Sequence, residues 1–123
     1  MVIDFRVQPP AGSFLDLHFF RSRPAQEDPV HGNPFAFGRG PNPSFDARSL
    51  ELFVAELDAA GVERAVVVGQ RAGARWGSAS NDDLLDVLRG HPGRFAGVAG
   101  IDPRDPGAAD ETRRVLDDHG MIG

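Results

Sequence analysis

The sequence predicts an α/β protein built on a parallel sheet, and three observations carry that prediction. The chain opens with a short strand, Val2 to Val7, stopped by Pro9 and Pro10, neither of which can donate to a strand ladder. A continuous β-branched run, Arg64-Ala65-Val66-Val67-Val68-Gly69, reads as a second strand, apolar on both faces as buried parallel strands are. Segments with helical spacing lie between and after such runs, and strands alternating with helices imply right-handed βαβ units.

The first strand is expected to be buried and two-faced. Asp4, Arg6 and Gln8 share one parity, and Ile3, Phe5 and Val7 share the other. Alternate side chains of a strand go to opposite faces, so one face carries three functional groups in a row. Residues 9–45 follow as a long, lid-like loop holding seven of the ten prolines. A loop of that length inside a compact domain is usually a lid, a binding loop or disorder. Phe14, Phe19, Phe20, Phe35 and Phe37 argue against plain disorder, and Ser13 to Phe20 can form a short helix within it.

Regularity then begins. Asp46 can cap a helix running to about Ala60, with Leu50, Phe53, Val54 and Leu57 forming one buried stripe and Gly61 as its stop. After the second strand, Gln70 to Ala79 is a polar loop with Arg71, Arg75 and Trp76. Ser80-Asn81-Asp82-Asp83 matches a capping box, and Leu84, Leu85 and Leu88 supply the stripe of a second helix. His91-Pro92-Gly93 ends it. Phe95 to Ile101 reads as a third strand with small residues that permit close approach. Asp105-Pro106 reads as N-cap and first residue of a third helix ending near His119-Gly120, and Met121-Ile122-Gly123 as the opening of a fourth strand.

Composition excludes several classes. Apolar residues make up 41% and charged residues 25%, ordinary for a folded soluble chain. A net charge of −5 gives no reason to expect a nucleic-acid or membrane partner, and no apolar run approaches the roughly 20 residues of a membrane span. Asp4 and Arg6 interrupt the N-terminal apolar run, so it does not read as a signal peptide, and a cytoplasmic location is the default expectation. The chain has no cysteine, hence no disulfide and no thiolate chemistry. All 13 basic residues are arginine, which leaves out Schiff-base and phosphate-loop lysines. Gly38-Arg39-Gly40 and the Gly69–Gly73 loop complete no nucleotide-binding pattern.

In this order and spacing the segments resemble a known family. Ile3-Asp4-Phe5-Arg6-Val7-Gln8 stands where the amidohydrolase-related (family 2) TIM barrels, of the aminocarboxymuconate-semialdehyde decarboxylase type, carry I-D-x-H-x-H. Leu57 to Val67, Asn81-Asp82, His91-Pro92-Gly93-Arg94-Phe95-Ala96-Gly97 and Ile101-Asp102-Pro103 are similar to that family's second-strand entry, second helix and third strand. The likeness covers the first strand and most of residues 46–123; the long loop matches nothing in it. The resemblance implies the N-terminal three βα units of a (β/α)8 TIM barrel. A full barrel needs roughly 250 residues, so the chain is expected to be an incomplete single domain, and a homo-oligomer is open for the full-length protein. It implies a hydrolase or carbon–carbon lyase acting on a small carboxylate-bearing substrate.

The family usually binds a divalent metal such as zinc through the first-strand histidines. Those positions are Arg6 and Gln8 here, and the family's later ligands fall beyond residue 123. A guanidinium has no acceptor and an amide is a poor zinc ligand, so no metal ligand is assigned in this chain.

The candidate residues follow from their place at the C-terminal ends of strands, where such barrels hold their sites. Arg6 can bind a substrate carboxylate, or can be an internally paired ion; Gln8 lies beside it, and Arg71 after strand two can meet the same anion. Asp4 is the candidate general base or orienting group, with a structural role as the plainer reading. His18 and His31 could reach the site from the loop, whereas His91 and His119 belong to helix ends. Asp102 after strand three reads as a turn. Two other functions stand beside the enzyme: a non-catalytic barrel relative that binds or regulates, and a small flavodoxin-like α/β binding domain.

Overall fold

A computed structural model describes residues 1–21 and 43–123. His31, Phe35, Phe37 and Gly38-Arg39-Gly40 lie outside the described residues. Three parallel strands, in the order β1-β2-β3, form the sheet: β1 (Val2–Val7), β2 (Val62–Val68) and β3 (Phe95–Val98). The helices are α1 (His18–Arg21), α2 (Pro43–Ala47), α3 (Leu50–Ala59), α4 (Gly73–Trp76), α5 (Asn81–Gly90) and α6 (Ala108–Arg113). A 3₁₀ turn, Gly12–Asp16, precedes α1, and a π-helical turn, Arg114–Asp118, continues α6.

β2 is the central strand, with Ala65, Val66 and Val67 all buried, as its unbroken apolar run requires. Its register with β3 is regular: Ala65 lies opposite Phe95, Val66 opposite Ala96, Val67 opposite Gly97 and Val68 opposite Val98. The row through Phe95 and Gly97 faces the helices. The Phe53 ring of α3 stacks near Phe95, and Leu84 and Leu88 of α5 close over Gly97. Beyond β3, Ile122 donates to the Gly97 carbonyl at 2.9 Å and the Gly123 carbonyl accepts from Ala99 at 2.7 Å, so the last residues do run beside β3.

β1 departs from expectation twice. It is not buried: Val7 is, but Ile3 is 51% and Phe5 73% exposed. β1 is the edge of the sheet, paired with β2 alone among the described residues. Nor does its alternation run unbroken. Asp4 lies opposite Ala65 and Val7 opposite Val67, so three steps of β1 span two of β2. One extra residue reverses the parity, as a bulge does. Asp4 and Val7 are thereby set against the same helix-facing row of β2, and Asp4, Arg6 and Gln8 are not a simple row on one face. Asp4 Oδ1 accepts from the Arg6 amide at 3.2 Å within that bulge.

Two helix starts also differ from the sequence reading. Residues 43–47 form their own helix α2, so the cap of α3 is Ser49, whose hydroxyl accepts from the Leu52 amide, and not Asp46. Glu56 of α3 reaches back to accept from both the amide and the hydroxyl of Ser44, at 2.8 and 2.6 Å, tying α2 to α3. α6 begins at Ala108 and not at Pro106, because Asp105 Oδ1 takes the Gly107 amide in a preceding turn. The Ser80 cap of α5 is as read: its hydroxyl accepts from the Asp83 amide and donates to Asp83 Oδ2.

The first part of the long loop belongs to the core. Phe14 and Leu17 are buried, and Phe20 stacks on Phe45 of α2 at 5.3 Å. Ser13 fastens this turn to α5: its amide donates to Asp83 Oδ2 at 2.9 Å, and its hydroxyl accepts from the Ser80 amide at 2.7 Å. Hydrogen bonding by the Ser13 side chain, then by its amide and then by the Ser80 hydroxyl holds the Asp83 carboxyl below its ordinary value.

The C-terminal ends of β2 and β3 touch through glycine. A Cβ on Gly69 would stand 2.4 Å from the Gly100 nitrogen, a backbone atom with nowhere to go. Gly61, at φ +70 after α3, has nothing within 4 Å. Gly69→Ala is therefore expected to cost roughly 2–3 kcal/mol by forced backbone movement, whereas Gly61→Ala costs only about 1 kcal/mol for its left-handed backbone. Thermal unfolding of the two variants checks the order; equal losses would remove the close contact as its cause.

Candidate functional site

The residues after β1, β2 and β3 meet at the C-terminal end of the sheet. Gln8, just past β1, donates from Nε2 to Oε1 of Gln70, just past β2, at 3.2 Å. Two strands are thus joined at their ends by a side-chain amide pair. Each amide keeps further donor or acceptor capacity for a ligand.

A second cluster lies beyond β3. Asn81, at the start of α5, is 3% exposed and fully engaged. Its Oδ1 accepts from the Gly100 amide at 2.9 Å, and its Nδ2 donates to the Gly100 carbonyl at 3.2 Å and to Glu111 Oε1 at 2.7 Å. Arg114 grips the Glu111 carboxylate with Nε and Nη2 at 2.7 and 2.8 Å, and reaches Asp82 at 2.9 Å. The paired Arg114 bonds, and then the Asn81 bond, bring the Glu111 carboxyl down to about 2. Asp102 is similarly held at about 2, first by the Arg104 side chain and then by the Arg104 amide. Asp102 does form the expected turn, accepting from the Arg104 amide at 3.0 Å.

Arg71 is exposed, with its backbone bridged to Ser78. Its charge contributes to lowering both Asp102 and Glu111, which places it within range of both carboxylates, yet its guanidinium has no hydrogen-bond partner among the described residues. Nearby, Arg75 lies over the ring of Trp76 at 4.9 Å, and His18 meets that ring edge-on at 5.3 Å.

Of the residues expected from the sequence, the structure brings Gln8 to the end of β2 and Arg71 to the end of β3. Arg6 is exposed, and Asp4 is exposed with its carboxylate on the β1 backbone; no hydrogen bond links either to the other candidates among the described residues. Gln70, Asn81, Glu111 and Arg114 were not anticipated. Asn81 had a signal: it lies three, four and seven residues before Leu84, Leu85 and Leu88, on the stripe that α5 buries.

The first-strand positions do not suit the divalent metal that the resemblance implies. Arg6 has no lone pair to give, and the neutral amide oxygen of Gln8 is a poor ligand for zinc. No cluster of three His, Cys, Asp or Glu able to hold a metal occurs among the described residues.

No family model matches this sequence, and no curated protein matches it. Among solved structures, the crystal structure of an uncharacterized TIM-barrel protein, Bb4693 from Bordetella bronchiseptica, is 34% identical with a TM-score of 0.72. The fold is that of a TIM barrel. The match covers 94% of this chain and 40% of that one, so the chain spans about two fifths of that protein's length. In barrel terms, Gln8, Gln70, Arg71 and Gly100 lie at the C-terminal mouth, the end at which such barrels hold their active sites.

The Glu111 carboxyl has a sign that can be tested. Its value in the fold lies below its ordinary 4.5, so its stabilising effect is complete above that pH and is lost as pH falls toward about 2. Glu111→Gln is expected to flatten the loss of stability in that window, read by urea unfolding at pH 5 and pH 3. An unchanged acid slope would rule out the Arg114–Glu111–Asn81 cluster as its source.

Proposed function

We propose that this chain is the N-terminal part of an amidohydrolase-related barrel that binds a small carboxylate-bearing substrate at the C-terminal mouth. The reaction class is hydrolysis or carbon–carbon bond cleavage of the decarboxylase type. The observation that carries this reading is Arg71: a guanidinium at the end of β2 with no hydrogen-bond partner among the described residues, beside the neutral Gln8–Gln70 pair. An arginine takes a carboxylate with two parallel hydrogen bonds, and neighbouring amides complete the anion's remaining lone pairs. Arg6 is assigned to the same substrate from its place on β1, whereas Asp4, set against the helix-facing row with its carboxylate on the Arg6 amide, takes the structural role. The poor fit of Arg6 and Gln8 to a metal favours a mechanism without a first-strand metal, and equally supports the second reading, a barrel relative that binds without catalysing. The solved barrel favours either over a flavodoxin-like domain.

Trp76 is the single tryptophan, 47% exposed, five residues from Arg71. Its fluorescence, followed in the protein at its native-source length, is expected to change on titration with malonate. Arg71→Ala should weaken that binding by about 10- to 100-fold, the worth of a charge-assisted bond. Absence of binding by any small carboxylate would overturn the substrate class. Binding without hydrolysis or carbon dioxide release would leave the non-catalytic relative.

A further inference from the structure

We infer that Asn81 is a positioning residue that sets the spacing of the β2 and β3 ends and, through them, the mouth; this rests on the carboxylate-binding reading given above. Asn81 grips both the amide and the carbonyl of one residue, Gly100, as a neighbouring strand would. Gly100 in turn is pressed on the end of β2: a Cβ there would lie 2.8 Å from the Gln70 nitrogen, and one on Gly69 2.4 Å from the Gly100 nitrogen. Contact that close transmits displacement, because a packed backbone has no slack to absorb it.

Gln70 then carries the constraint to Gln8 through their amide pair, and Arg71 is the next residue along the chain. The third bond of Asn81 goes to Glu111, whose carboxylate Arg114 holds in place. The Asn81 amide is therefore fixed from the α6 side and acts on the β3 side. An asparagine suits the position because its amide offers an acceptor and a donor to the N–H and C=O of one residue and a second donor to a carboxylate. A buried amide with every partner present holds one geometry.

Asn81→Asp preserves shape and the acceptor for the Gly100 amide. It removes the donors and sets a carboxyl against Glu111. Two carboxyls that close share a proton, and the proton supplies a donor again at lower pH. The experiment compares wild type, Asn81→Asp and the exposed control Asp86→Asn, at native-source length, at pH 8 and pH 5. It follows amide resonances by NMR and malonate affinity by Trp76 fluorescence.

In Asn81→Asp at pH 8 the Gln70 and Arg71 amides and the Gln8 side-chain amide are expected to shift, while Ala65 to Val67 keep theirs. Malonate affinity should fall about tenfold, the effect of one lost hydrogen bond. At pH 5, relative to wild type at the same pH, much of that loss should be recovered, which a generally weakened fold would not show. Shifts confined to Gly100 and Glu111, or unchanged affinity in a wild type that binds, would overturn the inference. If wild type itself binds no malonate, the carboxylate reading fails separately, and the Gln70 and Arg71 resonances alone decide the role of Asn81. Should Asn81→Asp not fold, Asn81→Ser, whose hydroxyl is too short to span Gly100, is expected to move the same resonances; their constancy would equally overturn it.

Discussion

The arrangement of this protein depends on the contact between Gly69 and Gly100. Parallel strands normally splay at their ends once the ladder stops, because nothing further draws the backbones together. Here the Gly69 amide still donates to the Val98 carbonyl at 2.7 Å, and the two chains continue past the ladder at backbone contact. Side chains at either position would force them apart. With neither present, the residues that follow β2 and those that follow β3 leave the sheet from one place. Gln70, Arg71 and Asp102 are neighbours for that reason, though 32 positions separate the first from the last (102 − 70).

The loop after β1 is held to the same region by different means. Its first turn has few ladder bonds to offer, so it is fixed by burial and by caps. Phe14 and Leu17 are buried in the core, and Ser13 exchanges hydrogen bonds with the Ser80–Asp83 cap. Burying a phenylalanine and a leucine is worth roughly 1.5–3 kcal/mol each; the neutral Ser13–Ser80 bond adds about 1 kcal/mol and the bond to the Asp83 carboxylate about 1.5–3 kcal/mol. The apolar anchors set where the turn sits, and the polar ones set its register on α5. Gln8 is thereby held between an edge strand and an anchored turn, within reach of Gln70.

Much of this was legible in the sequence where one signal dominated. The run Ala65 to Val68 could only be a buried strand, and the Ser80–Asp83 box and the Leu84, Leu85 and Leu88 stripe pointed to one helix in one orientation. The parts that were not legible depend on partners distant in the chain. A bulge in β1 leaves no mark in residues 2–8, because it is a mismatch of length between β1 and β2. The exposure of Ile3 and Phe5 is likewise a property of the sheet edge and not of those residues. Asp46 and Pro106 were good helix starts locally; Ser49 and Gly107 displaced them because Glu56 and Asp105 bonded elsewhere. At the candidate site, arginine and glutamine could be picked out for their chemistry, but nothing local identifies Asn81 as satisfied by Gly100 and Glu111.

The charges at the mouth show why Arg71 stands apart. Acidic and basic groups are numerous there, but most are neutralised within their own turn: Arg104 on Asp102 two residues away, and Arg114 on Glu111 three residues away. Such pairs need no distant partner, since the chain itself holds the two residues close. They absorb two carboxylates that would otherwise compete for Arg71. Arg71 is left as a guanidinium with its donors uncommitted among the described residues, next to an amide pair that carries no charge.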